Sequence, residues 1–198
     1  MRLKSVFAFG LFTMILNGVI VAGTGSAAGQ NTPFPSYGSG PVEVRLYTDY
    51  FCPPCRAMEP AVEPLLKDLL KKNAIRLTLV DVPFSQHTLL YARNILFALK
   101  ENNDLEHAFR VRNILLEAST QKDVTTQERI ETLFREKGVP VSVFFPVFDA
   151  KPAFDRYNAL LKEDKINATP TCVVIQNGQK KAFVGGPDII NALKALPW

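Results

Sequence analysis

The chain has 198 residues, 47% hydrophobic and 21% charged, with a formal net charge of +4. These are the proportions of an ordinary globular protein of one domain, long enough to bury a real core. Its basic residues alternate with acidic ones and form no stripe, which argues against nucleic acid as a partner, and three cysteines do not make a disulfide-stapled scaffold.

The N-terminus carries Arg2 and Lys4, then an apolar run from Val6 to Val21, then the small residues Ser26-Ala27-Ala28. No charged residue stands between Lys4 and Glu43. This is the pattern of a secretory signal peptide over residues 1–28. The alternative is an uncleaved N-terminal membrane anchor, although Gly10, Thr13, Asn17 and Gly18 interrupt a run already short for a span of about 20 residues. Either way the rest of the chain is expected to be exported, to the periplasm or an equivalent compartment. Residues 29–41 are rich in Gly, Pro, Ser and Asn and read as a flexible linker, leaving 42–198 as the folded domain.

Val42 to Tyr50 reads as a strand, and Arg56 to Leu70 as a helix with Met58, Val62, Leu65, Leu66 and Leu69 on one face. Pro60 and Pro64 fall inside that helix and predict a kink or local break. Ile75 to Val82 is the next strand, parallel to the first through a right-handed crossover. From Ser85 to about Lys165 the pattern is helical. Leu89, Ala92, Ile95, Leu96 and Leu99 make one face, and Leu105, Ala108, Phe109 and Leu115 another. Thr125 and Glu128 are spaced as a capping box, Gly138 and Pro140 close that helix, and Pro152 opens the next, which carries Phe154, Tyr157, Asn158 and Leu161. Thr171–Gln176 and Gln179–Val184 then flank Asn177-Gly178, a strong hairpin signal, and Pro187 to Leu196 closes the chain as a helix. The order is β-α-β, a helical block over residues 85–165, then β-β-α.

Between the first strand and the first helix lies Phe51-Cys52-Pro53-Pro54-Cys55. A cysteine at a helix N-terminus meets unpaired N–H groups and the positive end of the helix dipole, which favour thiolate over thiol. The thiolate attacks disulfides, and a second thiol one turn on can close the ring and release the substrate. Half a zinc site and a plain structural disulfide are the other readings. Zinc would need a second close ligand pair, and only Cys172, His87 and His107 remain, none at ligand spacing. His87 and His107 read as structural or exposed, Cys172 as a buried inert thiol, and Lys71-Lys72 as a solvated helix end.

Strand, C-x-x-C and helix in that order resemble the redox motif of the thioredoxin superfamily. The whole arrangement from Val42 to Leu196 resembles its DsbA-like branch, an α/β thioredoxin fold with an inserted helical domain. Asp49-Tyr50-Phe51 resembles that branch's acidic-aromatic lead-in, Pro60 its kink proline, and Asp81-Val82-Pro83 with His87 and Ala92 the start of its insertion. Ala168-Thr169-Pro170-Thr171-Cys172 resembles the loop whose proline is cis in this superfamily, packs beside the cysteines and pairs with an extended substrate segment.

The resemblance implies a protein thiol–disulfide oxidoreductase with Cys52 as nucleophile and Cys55 as resolving thiol, and with Phe51, Thr169 and Pro170 contacting substrate. It implies protein or peptide thiols and disulfides as substrates, a membrane or soluble redox protein as electron partner, a monomeric state, and neither organic cofactor nor metal. Two departures stand out. Leu46 occupies the position, six before the first cysteine, of a buried acid that assists proton transfer in the family, and the dipeptide is Pro-Pro where oxidases of this branch often carry a histidine. The competing reading is a non-catalytic thioredoxin-like module that binds a peptide or a metal. A disulfide isomerase is disfavoured because no dimerisation domain precedes the core.

Overall fold

The structure, a computed structural model, describes residues 32–140 and 147–196. The expected signal peptide, residues 1–28, lies outside the described residues. A mixed five-stranded sheet is built from β1 (Ser36–Tyr37), β2 (Val42–Thr48), β3 (Ile75–Asp81), β4 (Thr171–Gln176) and β5 (Gln179–Val184) in the order β1-β3-β2-β4-β5. The helices are α1 (Pro53–Lys71), α2 (Thr88–Glu101), α3 (Leu105–Ala118), α4 (Gln127–Glu136), α5 (Lys151–Glu163) and α6 (Gly186–Lys194).

Strand alternation fixes the two faces of the sheet. Val42, Val44 and Leu46 of β2, Ile75, Leu77 and Leu79 of β3, and Cys172 and Val174 of β4 share one core with Met58, Val62, Leu66 and Leu69 of α1 and Ile189 and Leu193 of α6. On the other face Tyr47, Val80 and Val173 pack with Leu96, Phe97 and Tyr157. Central β2 pairs with β3 in parallel, Leu46 beside Leu79, and with β4 in antiparallel, Leu46 beside Cys172. Gln176 and Gln179 close the hairpin, with Asn177 (φ 51°) and Gly178 (φ 75°) in the left-handed conformations that a two-residue loop of this kind requires.

Between β3 and β4 the helical block has its own core, in which Tyr91, Ile95 and Leu99 of α2 meet Val111 and Leu115 of α3 and Ile130 and Phe134 of α4. The helix carrying Ile130 is capped by Thr126, whose hydroxyl accepts from the Arg129 N–H, so the expected capping box at Thr125 is corrected by one residue. At its other end Gly138 takes φ 65° and the Val139 N–H returns to the Phe134 carbonyl, closing the helix as its Gly-x-Pro sequence suggested.

Two further expectations are corrected. The flexible linker over 29–41 is not free in its second half. Ser36 and Tyr37 pair antiparallel with Thr78 and Leu77, and Leu79 N–H donates to the Pro35 carbonyl. Gly40 makes this docking possible, because a Cβ there would come 2.3 Å from the Ile75 nitrogen. Of the kink or local break expected at Pro60 and Pro64, the break does not occur, since α1 runs as one helix from Pro53 to Lys71. Both prolines sit on its exposed side, four residues apart, while Met58, Val62, Leu66 and Leu69 hold the opposite side against the sheet.

Candidate active site

The chain leaves β2 at Thr48 and turns on the side chain of Asp49. Its buried carboxylate accepts from the Phe51 N–H at 2.9 Å and from the hydroxyls of Ser85 and Thr88, both at 2.7 Å. The Cys52 N–H donates to the Asp49 carbonyl, which sets Cys52 in extended geometry (φ −80°, ψ 113°) as the N-cap of α1. Pro53 and Pro54 follow in the first turn, where a missing N–H costs the helix nothing. The first amide that can face the cap is that of Cys55, which donates to Cys52 Sγ at 3.3 Å.

The two thiols, both reduced, differ sharply in access. Cys52 is partly exposed, whereas Cys55 is fully buried. Burial, then the contact with Cys52, pushes the Cys55 thiol up to about 12. An accessible sulfur at a helix cap with a hidden protonated partner one turn behind is a geometry for stepwise exchange.

Pro170 is buried and its bond to Thr169 is cis, as the superfamily resemblance implied. The Cys52 thiol donates to the Thr169 carbonyl at 3.4 Å. The loop is fastened on its far side by Gly185 N–H to the Pro170 carbonyl (2.9 Å) and by the Thr171 hydroxyl to the Ala168 carbonyl (2.9 Å). Of the expected substrate-contacting residues, Thr169 is therefore brought to Cys52 directly and Pro170 adjoins it. The ring of Phe51 instead packs on α2, 4.8 Å from Tyr91 and 5.9 Å from His87. His87 holds the N-cap position of α2 without a capping bond from its side chain. Cys172 is buried, paired across strands with Leu46 and Phe183, and burial raises its thiol to about 12.

Beneath the cysteines lies a polar cluster that the sequence reading missed. Arg112 of α3, 1% exposed, donates to both Glu59 oxygens (2.8 and 3.2 Å) and to the Thr48 hydroxyl (2.8 Å), and its Nη1 stands 3.7 Å from Asp81. Tyr50 donates to the other Asp81 oxygen at 3.2 Å. Burial is the largest influence on Asp81 and raises its carboxyl to about 6, although Arg112 and the Tyr50 hydroxyl pull it down. The available signal was Glu59, a charge on the apolar face of α1 one turn beyond Cys55. Among the described residues, no group of three His, Cys, Asp or Glu side chains is placed to hold a metal ion.

A dithiol at the cap of α1, a cis-proline loop against it and helices inserted between β3 and β4 define a DsbA-like thioredoxin fold. Residues 37–182 match the family model described as Thioredoxin, and the chain belongs to that family. No curated protein matches it by sequence. Among solved structures it is similar to a provisionally assigned protein-disulfide isomerase from Pseudomonas syringae, with 16% identity over 83% of this chain and 98% of that one and a TM-score of 0.67. It is similar also to α-DsbA1 of Wolbachia pipientis (12% identity, 82% and 90% covered, TM-score 0.63). A third is a periplasmic thioredoxin-like protein of Salmonella enterica serovar Typhimurium (19%, 82% and 90%, TM-score 0.56).

Proposed function

We propose that this protein is an exported thiol–disulfide oxidoreductase that exchanges disulfides with protein substrates through Cys52 and Cys55. The observation that carries the reading is the environment of Cys52. Its sulfur is accessible, capped by the Cys55 N–H, and set against the Thr169 carbonyl, with a buried thiol behind it. In the oxidising direction a substrate thiolate attacks Cys52 Sγ of the Cys52–Cys55 disulfide, and Cys55 leaves with the electron pair and takes a proton. A second substrate thiolate then attacks the substrate sulfur of the mixed disulfide and expels Cys52 as thiolate. Reduction of a substrate runs the same steps backwards, with Cys55 expelling the substrate.

Phe51, Thr169 and Pro170 contact the substrate segment in this reading, and the protein acts as a monomer that passes electrons to or from another redox protein. Export rests on the leader-like residues 1–28 and is consistent with the periplasmic Salmonella neighbour. Among the described residues no helix is long and apolar enough to cross a membrane. Insulin reduction and oxidation of a reduced model protein, each repeated with Cys52→Ser, test the activity. Turnover by wild type that the variant lacks is the expected result, and no turnover in either direction by wild type would leave a binding module as the better reading.

A further inference from the structure

On the reading just given, exchange at this site has a proton to place. To resolve a mixed disulfide Cys55 must lose its S–H proton. In the reduced protein burial, then Cys52, hold that thiol near 12, and the burial remains when Cys52 is bonded to substrate. Leu46 brings no carboxyl, being closed into the apolar core.

Glu59 follows Cys55 by four residues on the buried face of α1, a spacing that brings side chains about 5–6 Å apart at Cβ. Glu59 and Asp81 are two buried carboxylates with one guanidinium between them. Arg112 gives Glu59 two hydrogen bonds and leaves Asp81 at 3.7 Å, and among the described residues no second cation pairs with either. Such a trio holds one negative charge in excess.

Asp81 is faced by Tyr50 after β2, Arg112 of α3, Glu59 of α1, Asp49, and Tyr157 of α5. Beside it lies a small cavity of about 30 Å³, lined by Asp81, Thr88 and Tyr157 and, towards the surface, by Pro83, Leu89 and Asn158. The buried Tyr157 hydroxyl has no hydrogen-bond partner among the described residues. One water needs roughly 10–15 Å³ and two to four polar partners; the space is large enough, and Asp81, Thr88, Tyr157 and Asn158 line it beside the apolar Ala92 and Phe154.

We propose that Glu59 and Asp81, held in place by Arg112, form the proton relay of Cys55, and that the cavity beside Tyr157 holds the water linking Asp81 to solvent. In the resolving step the Cys55 S–H bond breaks and its proton passes to the carboxyl pair. The Cys55 electron pair forms the bond to Cys52 Sγ, and the Cys52–substrate S–S bond breaks with its electrons on the departing substrate sulfur. The relay returns the proton through the water, and in the oxidising direction it supplies one to Cys55 as that sulfur leaves. Arg112 positions the two carboxyls and does not itself transfer a proton.

Reduced protein mixed with 5,5′-dithiobis(2-nitrobenzoate) tests this by stopped-flow absorbance from pH 5 to 9. Capture at Cys52 releases one aryl thiolate, and attack by Cys55 releases the second. The wild-type second phase should rise through a step near pH 6. Asp81→Asn should remove that step and slow the second phase about 10–100-fold at pH 7, with the first phase unchanged. Tyr157→Phe, which deletes one hydroxyl from the cavity, should slow the second phase severalfold and spare the first. A wild-type second phase in Asp81→Asn, or equal loss in both phases, overturns the relay. Should Asp81→Asn lose its near-UV circular dichroism, Tyr157→Phe decides, and a wild-type second phase there overturns the proposal. Absence of the first phase in wild type would instead defeat the reading of Cys52 as nucleophile, and the relay with it.

Discussion

Cys52 Sγ lies 3.4 Å from the carbonyl oxygen of Thr169, a residue 117 positions further along the chain. One sulfur thus faces a helix start on one side and an open strand-like loop on the other. A substrate cysteine docking along residues 169–170, as proposed, would meet the partly exposed Cys52 first, with Cys55 buried behind it. Replacing Cys55 by serine should therefore leave capture intact and abolish release. Mixed disulfides with substrate proteins should accumulate in Cys55→Ser, visible by non-reducing electrophoresis and mass spectrometry, and should be absent from Cys52→Ser.

With prolines at 53 and 54, the Cys55 N–H is the one backbone donor to the Cys52 sulfur among the described residues. Pro54→His adds an N–H in the first turn and an imidazole beside the sulfur, both of which favour the reduced, anionic form. One charge-assisted hydrogen bond is worth about 1.5 kcal/mol, which corresponds to a rise of about 30 mV in the reduction potential. Pro54→Ala, which restores only the amide, should rise by less. Equilibration with glutathione reads both, and an unchanged potential in Pro54→His would refute the argument.

Removing Arg112 leaves two buried carboxylates without their cation. Arg112→Met should destabilise the protein by about 3–5 kcal/mol at pH 7, the range for breaking a buried ion pair by deleting one partner. The penalty should shrink as pH falls towards about 6, because without Arg112 the Asp81 carboxyl is raised further and takes up its proton at a higher pH than in the intact protein. Urea unfolding at pH 7.5 and pH 5 measures the difference.

Asp81 also sets a pH dependence in the intact protein. Its folded-state carboxyl is raised from 3.8 to about 6, chiefly by burial. The folded state therefore holds a proton that the unfolded state has released, and the contribution to stability falls as pH rises from about 4 to about 6. It is fully present below the unfolded value and lost above the folded one. Asp81→Asn should lack that fall, as tested by thermal melts of variant and wild type in closely spaced buffers.

Cys172 should remain unmodified by iodoacetamide in the folded protein while Cys52 reacts, because it is buried and its thiol is held near 12. Cys172→Ala should retain full exchange activity and cost about 1 kcal/mol for the lost packing. Rapid alkylation of Cys172 without unfolding would contradict both statements.

The features legible in the sequence are those whose signal is local. Asn177-Gly178 names its own turn, Cys52-Pro53-Pro54-Cys55 its helix cap, and the 3.6-residue spacing of apolar side chains finds the six helices among the described residues. What escaped was cooperative or very short. β1 is two residues long and exists because Gly40 lets the chain press against Ile75, so composition alone reads it as a linker. Thr125 and Thr126 are both of a residue type that caps helices, and spacing alone does not choose between neighbours; Thr126 is the one that accepts from the Arg129 N–H. The cluster around Arg112 draws on β2, α1, β3 and α3, and no spacing rule connects residues 48, 59, 81 and 112.

That cluster bears on any attempt to trim the molecule. The helical block looks like a detachable cartridge, since it enters after β3 and returns before β4. Yet the one guanidinium that neutralises Glu59 and Asp81 is delivered from inside it. A minimal scaffold made by excising residues 85–165 would inherit two stranded acids in its apolar centre. An engineer would have to rewrite both as hydrocarbon side chains before the remaining sheet and α1 could close around them.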